Sequence, residues 1–330
     1  MLNQELVCSV IDKNRDRLLP AECVNIEEIK IKPQRNIGFH LADSPRFYCT
    51  VKYFENTGIS RNYFIFIKKR GNAGIEFEKM INLWSRHYYN QEKFIIPKPL
   101  YFDRENTLLF IETFSGESFL HALYKKLFSL QDNSIDFINN AAILAAQWLT
   151  DFQSIYTSEE KKRIPNIFYE YEQTLDMFDT IGKKEKSYII GKLNNAVDHL
   201  PEFPDTYVHD QYLFRNILLQ SDKICTFDFP NQRIGWPFYD FFRFQIGIDR
   251  LAQYPFIPFS YRTLLKEIFV SEYLNQSKLT QDRALVEYFW GFFIVSYIRK
   301  IFPIQKGLRG KLSSHFINRT LDDLVSWSKT

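Results

Sequence analysis

From Arg46 to Phe54 (RFYCTVKYF) and again from Tyr63 to Lys68 (YFIFIK), apolar and polar positions alternate with a period of two. That pattern predicts two strands, joined by the turn Glu55-Asn56-Thr57-Gly58. A shorter alternation at Ile29-Lys30-Ile31-Lys32, closed by Pro33-Gln34-Arg35, predicts a lead-in strand with a helix before it. After Gly71 and Gly74 the period changes, and Glu76, Met80, Leu83, Trp84 and His87 share one helical face. Pro97 and Pro99 end that helix. Leu100-Tyr101-Phe102 with Leu108-Leu109-Phe110-Ile111-Glu112 predict a second hairpin. Residues 25–115 therefore spell β-β-β-α-β-β, a small and mostly antiparallel arrangement.

From Phe119 onward the apolar spacing becomes helical, over 119–130, 135–156 and 166–200, and again over 238–330. Only the stretch 207–229 interrupts it, with two short strands. The most apolar run, YFWGFFIVSY from Tyr288 to Tyr297, is about half the length needed to cross a bilayer and predicts a buried helix. Phe114-Ser115-Gly116-Glu117 is the natural hinge, since Gly116 permits a backbone turn and Ser115 can cap the next helix. The expected fold class is α+β in two lobes. Residues 1–115 form a small antiparallel β lobe with one helix, and residues 116–330 form a larger, mainly helical lobe.

Composition narrows the function classes. A chain of 330 residues can bury a sizeable core and divide in two. With 45% apolar and 25% charged residues it belongs among folded rather than disordered chains. The net charge of +3 is small and its cations are interspersed with acids, which disfavours a nucleic-acid partner. The 32 Phe and 19 Tyr fit the codon bias of an AT-rich genome and say little about function. Cys8, Cys23, Cys49 and Cys225 are scattered, with no CxxC pair and no histidine at zinc spacing, so four free thiols in a reducing cytosol are expected. The N-terminus has charges near every apolar position and is not a signal peptide. A cytoplasmic protein follows, and no membrane contact is expected.

Candidate chemistry concentrates in residues 207–240, YVHDQYLFRNILLQSDKICTFDFPNQRIGWPFYD. His209 and Asp210 follow a short strand end, Asn216 opens the next apolar run, and Asp228 closes the strand after it. A carboxylate, an amide and a second carboxylate on adjoining strand ends can set a base beside magnesium ligands, as phosphoryl transfer requires. Each residue also has an ordinary structural reading. Asn216 could cap the turn, Asp228 could accept turn amides, and His209 could be a satisfied core histidine. Lys68 could end a strand in solvent, with Lys69 as its competitor on the opposite face. Glu76 could be an exposed helix charge, with Glu78 as its rival.

The order of segments resembles the aminoglycoside phosphotransferase and choline kinase branch of the protein-kinase-like fold. PQRNIGFH with RFYCTVKYF resembles the first strand pair, and YFIFIKKR the third strand, which ends in the phosphate-binding lysine. IEFEKMINLW resembles the helix whose glutamate pairs with that lysine. IPKPLYFDRENTLLFIETFSGESF is similar to the family's hinge run, and AAILAAQWLTDFQSIY to the long helix before the catalytic loop. VHDQYLFRNILL with ICTFDFPNQRIGWPFYDFFRF is similar to the catalytic loop and metal-binding strand. The resemblance covers roughly residues 25–245. It implies ATP and Mg2+ as cofactors, with Lys68 on the nucleotide phosphates, Glu76 holding Lys68, and Glu112 at the nucleotide hinge. Asn216 and Asp228 are then the metal ligands. Asp240 and His209 brace the loop rather than react.

Two departures from the family pattern matter. The stretch from Asn36-Ile37-Gly38-Phe39 to Ser44-Pro45 has one glycine where a glycine-rich loop would lie. The position five residues before Asn216, where the family keeps its base, is Gln211, whose amide cannot accept a proton; Asp210 lies six before. Three accounts stand. The loop is slipped by one residue and Asp210 is the base, a register shared with the D-x-Y-L run of lipopolysaccharide-core sugar kinases. Alternatively Gln211 marks a pseudokinase that binds nucleotide and transfers little, or Asp210 is a structural acid. The leading expectation is an ATP-dependent kinase whose acceptor is a small-molecule hydroxyl on a sugar, amino sugar or glycan. Helical segments 157–205 and 245–330 would wall the acceptor pocket. A nucleotide-dependent binding module is the runner-up. A membrane-peripheral kinase of lipid-linked glycans, resting on the basic segment 299–311, is a weaker third.

Overall fold

A computed structural model describes residues 4–33, 46–127, 134–162, 173, 175–178, 181–197, 202–251, 257–277, 317–318, 320–326 and 328–329. The expected glycine-poor loop at 36–45, the apolar run 288–297 and the basic segment 299–311 lie outside the described residues. The chain forms two compact units, Met1–Glu117 with Asn216–Gln232, and Ser118–Arg215 with Arg233–Thr330.

The first unit opens with helices α1 (Gln4–Lys13) and α2 (Arg15–Leu18). Strands β1 (Cys23–Pro33), β2 (Arg46–Glu55) and β3 (Ser60–Lys69) follow, then helix α3 (Ala73–Leu83), a π-type turn over Trp84–Tyr88, and the two-residue strand β4 (Phe94–Ile95). Strands β5 (Pro99–Asp103) and β6 (Leu108–Glu112) complete an antiparallel sheet of order β1-β2-β3-β6-β5. Alternation does what the sequence pattern asks. Cys49, Val51, Ile65, Ile67, Leu108 and Phe110 point to one face and pack under Val7, Val10 and Ile11 of α1. Gly58, at φ +77°, turns the chain between β2 and β3, a conformation that costs glycine little.

Helix α3 buries Ala73, Glu76, Met80 and Leu83, a single face at helical spacing. Gly74 lets it approach β5, because a Cβ there would lie 2.8 Å from the Phe102 ring. After a two-residue strand β7 (Glu117–Ser118) the chain leaves this unit, and it returns at Asn216. Strands β10 (Ile217–Gln220) and β11 (Lys223–Thr226) then pair antiparallel, and β11 pairs in parallel with β4 through Ile224 and Cys225.

The second unit is mainly helical. It contains α4 (Phe119–Leu127), α5 (Ser134–Ser154), α6 (Lys183–Val197), α7 (Phe238–Arg250) and α8 (Phe259–Ser277). Its strands β8 (Thr157–Lys162), β9 (Phe203–Val208) and β12 (Arg233–Gly235) form a sheet of order β12-β9-β8. Residues 157–162 are therefore a strand where a helical wall was expected. The polar run TSEEKK is held extended by pairing with β9 and by an ion pair across the strands, Lys162 to Asp205 at 3.0 Å. The aromatic excess of the sequence is spent here. Trp148 stacks on Tyr212 at 5.3 Å and Phe119 on Phe214 at 4.8 Å. Phe241, Phe269 and Tyr273 pack α7 against α8. Two buried tyrosine hydroxyls find partners, Tyr212 donating to the Ala145 carbonyl and Tyr273 to Gln153.

Candidate active site

In the first unit, strand parity decides which cations turn inward. Lys68 and Arg70 are two apart and share a side of β3 and its continuation; Lys68 is buried, and Lys69 and Arg70 are each half buried. The Lys68 ammonium, on a residue only 1% exposed, lies 2.6 Å from Glu76 Oε1 and 3.3 Å from Asp228 Oδ1. Arg70 Nη1 lies 3.0 Å from the same Asp228 oxygen and 3.8 Å from Glu76 Oε2. Two cations thus neutralise two buried carboxylates, the arrangement that makes burial of charge tolerable. Glu78, the rival of Glu76, is exposed.

Helix α3 also fixes the segment that carries Asp228. Glu76 Oε1 accepts the Phe229 backbone N–H at 3.3 Å. About one turn further on, Lys79 donates to the carbonyls of Pro230 (2.9 Å) and Gln232 (2.6 Å). Burial lowers the pKa of Lys79. Asp228 itself sits at φ +77°, in the left-handed region that aspartate tolerates better than most residues, at a cost of order 1–3 kcal/mol.

The β10–β11 hairpin brings the two expected metal ligands to one end. Ile217 pairs with Thr226, and the Phe227 N–H donates to the Asn216 carbonyl at 3.1 Å, so Asn216 and Asp228 flank the same rung. Among the described residues no group of three His, Cys, Asp or Glu could hold a metal ion. A hard cation that keeps waters and substrate phosphates as ligands needs only one or two protein oxygens, and an amide with a carboxylate fits that chemistry. Glu112 lies elsewhere on the sheet. It ends β6, paired with Ile65 on β3, and its carboxylate accepts from the Tyr63 hydroxyl. Burial and that carboxylate together raise the Tyr63 pKa.

The remaining candidates belong to the second unit. His209 is fully buried among Trp148, Phe152 and Tyr212. The Gln211 N–H donates to His209 Nδ1 at 3.2 Å, so the neutral ring carries its proton on Nε2. Asp240, also fully buried, accepts the backbone N–H groups of His209 (2.5 Å) and Asp210 (2.9 Å) and holds the loop from below. Asp210 sits at φ +61°, its side chain 27% exposed, with Arg243 Nη2 at 3.6 Å and Arg233 Nη2 at 4.0 Å. The Gln211 side-chain oxygen instead accepts from Arg215 Nη2 at 3.4 Å.

Three arginines here escaped sequence reasoning. A signal existed for two of them: Arg70 repeats the parity of Lys68, and Arg243 lies one helical turn beyond Asp240. Arg233 gave none.

Asp240 supports a prediction. Burial raises its pKa to about 7, against the opposing pull of the His209 N–H and Arg243. Between about pH 4 and 7 the folded chain therefore holds a proton that the unfolded chain has released. Its contribution to stability is full at the acid end, falls as pH rises through that window, and levels off above about 7. In urea titrations, the stability difference between the wild type and Asp240→Asn should shrink from pH 4.5 to 7.5. A difference that stays flat would count against the raised pKa.

The fold has solved counterparts. A choline kinase from Cryptosporidium parvum Iowa II superposes with a TM-score of 0.54 at 13% identity, over 99% of this chain and 100% of that one. A thermostable mutant of the aminoglycoside phosphotransferase APH(4)-Ia, in a ternary complex with ADP and hygromycin B, gives 0.54 at 12% identity over 97% of both chains. The apo form of a thermostable mutant of the same enzyme gives 0.52 at 12%, over 91% and 94%. No family model and no curated protein sequence matches the chain. The chain has the protein-kinase-like fold of aminoglycoside phosphotransferases and choline kinases.

Proposed function

We propose that this chain is an ATP- and Mg2+-dependent phosphotransferase that moves the γ-phosphate to a hydroxyl of a small molecule, in the class of sugars, amino sugars or glycans. The observation that carries the reading is the buried Lys68–Glu76–Asp228 cluster, with Asn216 on the same hairpin end as Asp228. Positioned charge is what phosphoryl transfer asks of a protein, which has little covalent work to do. Lys68 would hold the α- and β-phosphates, oriented by Glu76. Asn216 and Asp228 would hold Mg2+, which when bound neutralises phosphate charge. The chain at Glu112 would line the nucleotide hinge. Asp210 would take the acceptor's proton while the acceptor oxygen bonds to the γ-phosphorus. The bond from that phosphorus to the bridging oxygen breaks, and ADP leaves with the electron pair.

The solved counterparts support the class, since one is a choline kinase and the other was crystallised with ADP and hygromycin B. The test is magnesium-ATP turnover against a panel of hydroxyl compounds. Asp228→Ala should lose at least two orders of magnitude, the scale seen when one electrostatic stabiliser is removed. Full activity in that variant would sink the reading.

A second reading, a nucleotide-binding module without transfer, draws on Arg70. Its guanidinium already occupies the carboxylate that a metal would need. That reading expects a thermal shift with ATP alone, no shift on adding Mg2+, and no transfer to any acceptor.

A further inference from the structure

We propose that Arg233 and Arg243 form an oxyanion-binding subsite beside Asp210, so that the acceptor carries a phosphate or carboxylate group near its reacting hydroxyl. The inference rests on the reading of Asp210 as the base, and it names the acceptor class that the fold leaves open. Three guanidinium groups, from Arg215, Arg233 and Arg243, gather about the loop 209–211, against the carboxylates of Asp210 and Asp240.

The two arginines nearest Asp210 are not spent on it. Their contacts of 3.6 and 4.0 Å lie beyond the 2.7–2.9 Å of a charge-assisted hydrogen bond. Their side chains remain 20% and 42% exposed, open to a ligand from solvent. The Arg233 head is seated rather than loose. Its guanidinium carbon lies 4.6 Å from the centre of the Tyr239 ring. Its Nη1 lies where a side chain on Gly235 would stand, 2.5 Å from the position a Cβ would take. A planar cation stacked on an aromatic face and lying over a glycine has little rotamer freedom left to lose on binding an anion. An acceptor whose hydroxyl reaches Asp210 at hydrogen-bond distance would place an oxyanion two or three bonds away within reach of both guanidinium forks. A cationic acceptor would meet repulsion at the same place.

The experiment titrates the full chain, with Mg2+ and a non-hydrolysable ATP analogue, against glycerol, glycerol 3-phosphate, glycerate and inorganic phosphate. Transfer from ATP to the first three is followed in parallel. The expected result is that the phosphate- and carboxylate-bearing probes bind at least tenfold more tightly than glycerol. Arg233→Gln and Arg243→Gln should each erase most of that advantage and leave glycerol unchanged. Gly235→Ala keeps every charge but pushes the Arg233 head aside, so it should weaken the anions as Arg233→Gln does. Arg233→Lys should recover part of the loss. Circular dichroism shows whether each variant is folded.

Arginine-dependent anion binding with no transfer to these probes or to any member of the wider hydroxyl panel would uphold the subsite and defeat the phosphotransferase reading. Transfer that ignores acceptor charge would uphold that reading and overturn the subsite. Anion binding that survives the double arginine variant, or no anion binding in the wild type, would also overturn it.

Discussion

Glu76→Ala should destabilise the first unit by about 3–5 kcal/mol, the scale for removing one partner of a buried ion pair. The expectation comes from what alanine leaves behind. Lys68 would stay in a position only 1% exposed, with Asp228 as its near carboxylate at 3.3 Å and Arg70 competing for the same oxygen at 3.0 Å. Three charges would remain where four had cancelled. The Phe229 N–H would also lose its acceptor, and an unmet buried donor costs about 1–3 kcal/mol by itself. Native-state hydrogen exchange can localise the loss, with faster exchange expected in residues 65–83 and 223–229 and little change in α5 or α8. Glu78→Ala, on the exposed side of the same helix, should stay within about 0.5 kcal/mol. The double change Lys68→Met with Glu76→Leu should recover much of the loss, because removing a buried pair together is far cheaper than breaking it. An alanine variant as stable as the wild type would show that the cluster is solvated rather than buried.

What the sequence made legible follows a simple physical rule. Features set by local periodicity were visible. The alternation in β2 and β3 and the 76-80-83 face of α3 could be placed because a strand and a helix impose their period on neighbouring residues. The hairpin that brings Asn216 and Asp228 to one end was visible for a related reason, since a two-residue turn makes spacing equal to register. Features set by partners distant in sequence were not visible. Arg70 meets Asp228 across 158 positions. The strand β8 is a polar run whose extended form comes from pairing with β9, so no alternation announces it. The two-residue β4 is too short to show any period, yet it pairs with β11. Arg233 is positioned by an aromatic ring six residues on and by the absence of a side chain at Gly235. Gly235, which no sequence pattern singled out, is in the fold room for a cation.

The same distinction bears on the step from His209 to Gln211, where sequence left three accounts standing, and Asp210→Asn separates them. Asparagine keeps the shape of aspartate and tolerates the left-handed backbone that residue 210 adopts at φ +61°. It also preserves the backbone N–H that Asp240 accepts at 2.9 Å. The ion pairs it gives up are long and partly exposed, so stability should change by no more than about 1 kcal/mol. Chemistry should change far more. With Asp210 as the base, kcat should fall by about 10²–10⁴, the usual worth of general-base catalysis, while ATP affinity stays within about threefold. Gln211→Ala should stay within about fivefold, because the Gln211 amide cannot accept the proton and its oxygen is directed at Arg215. A large loss in Gln211→Ala with none in Asp210→Asn would move the reacting position to 211. Indifference in both, with ATP still bound, would favour the binding module. Parallel losses of stability and activity in Asp210→Asn would make residue 210 a structural acid. A kcat lost while melting temperature and nucleotide affinity hold is the one combination that only a positioned base produces.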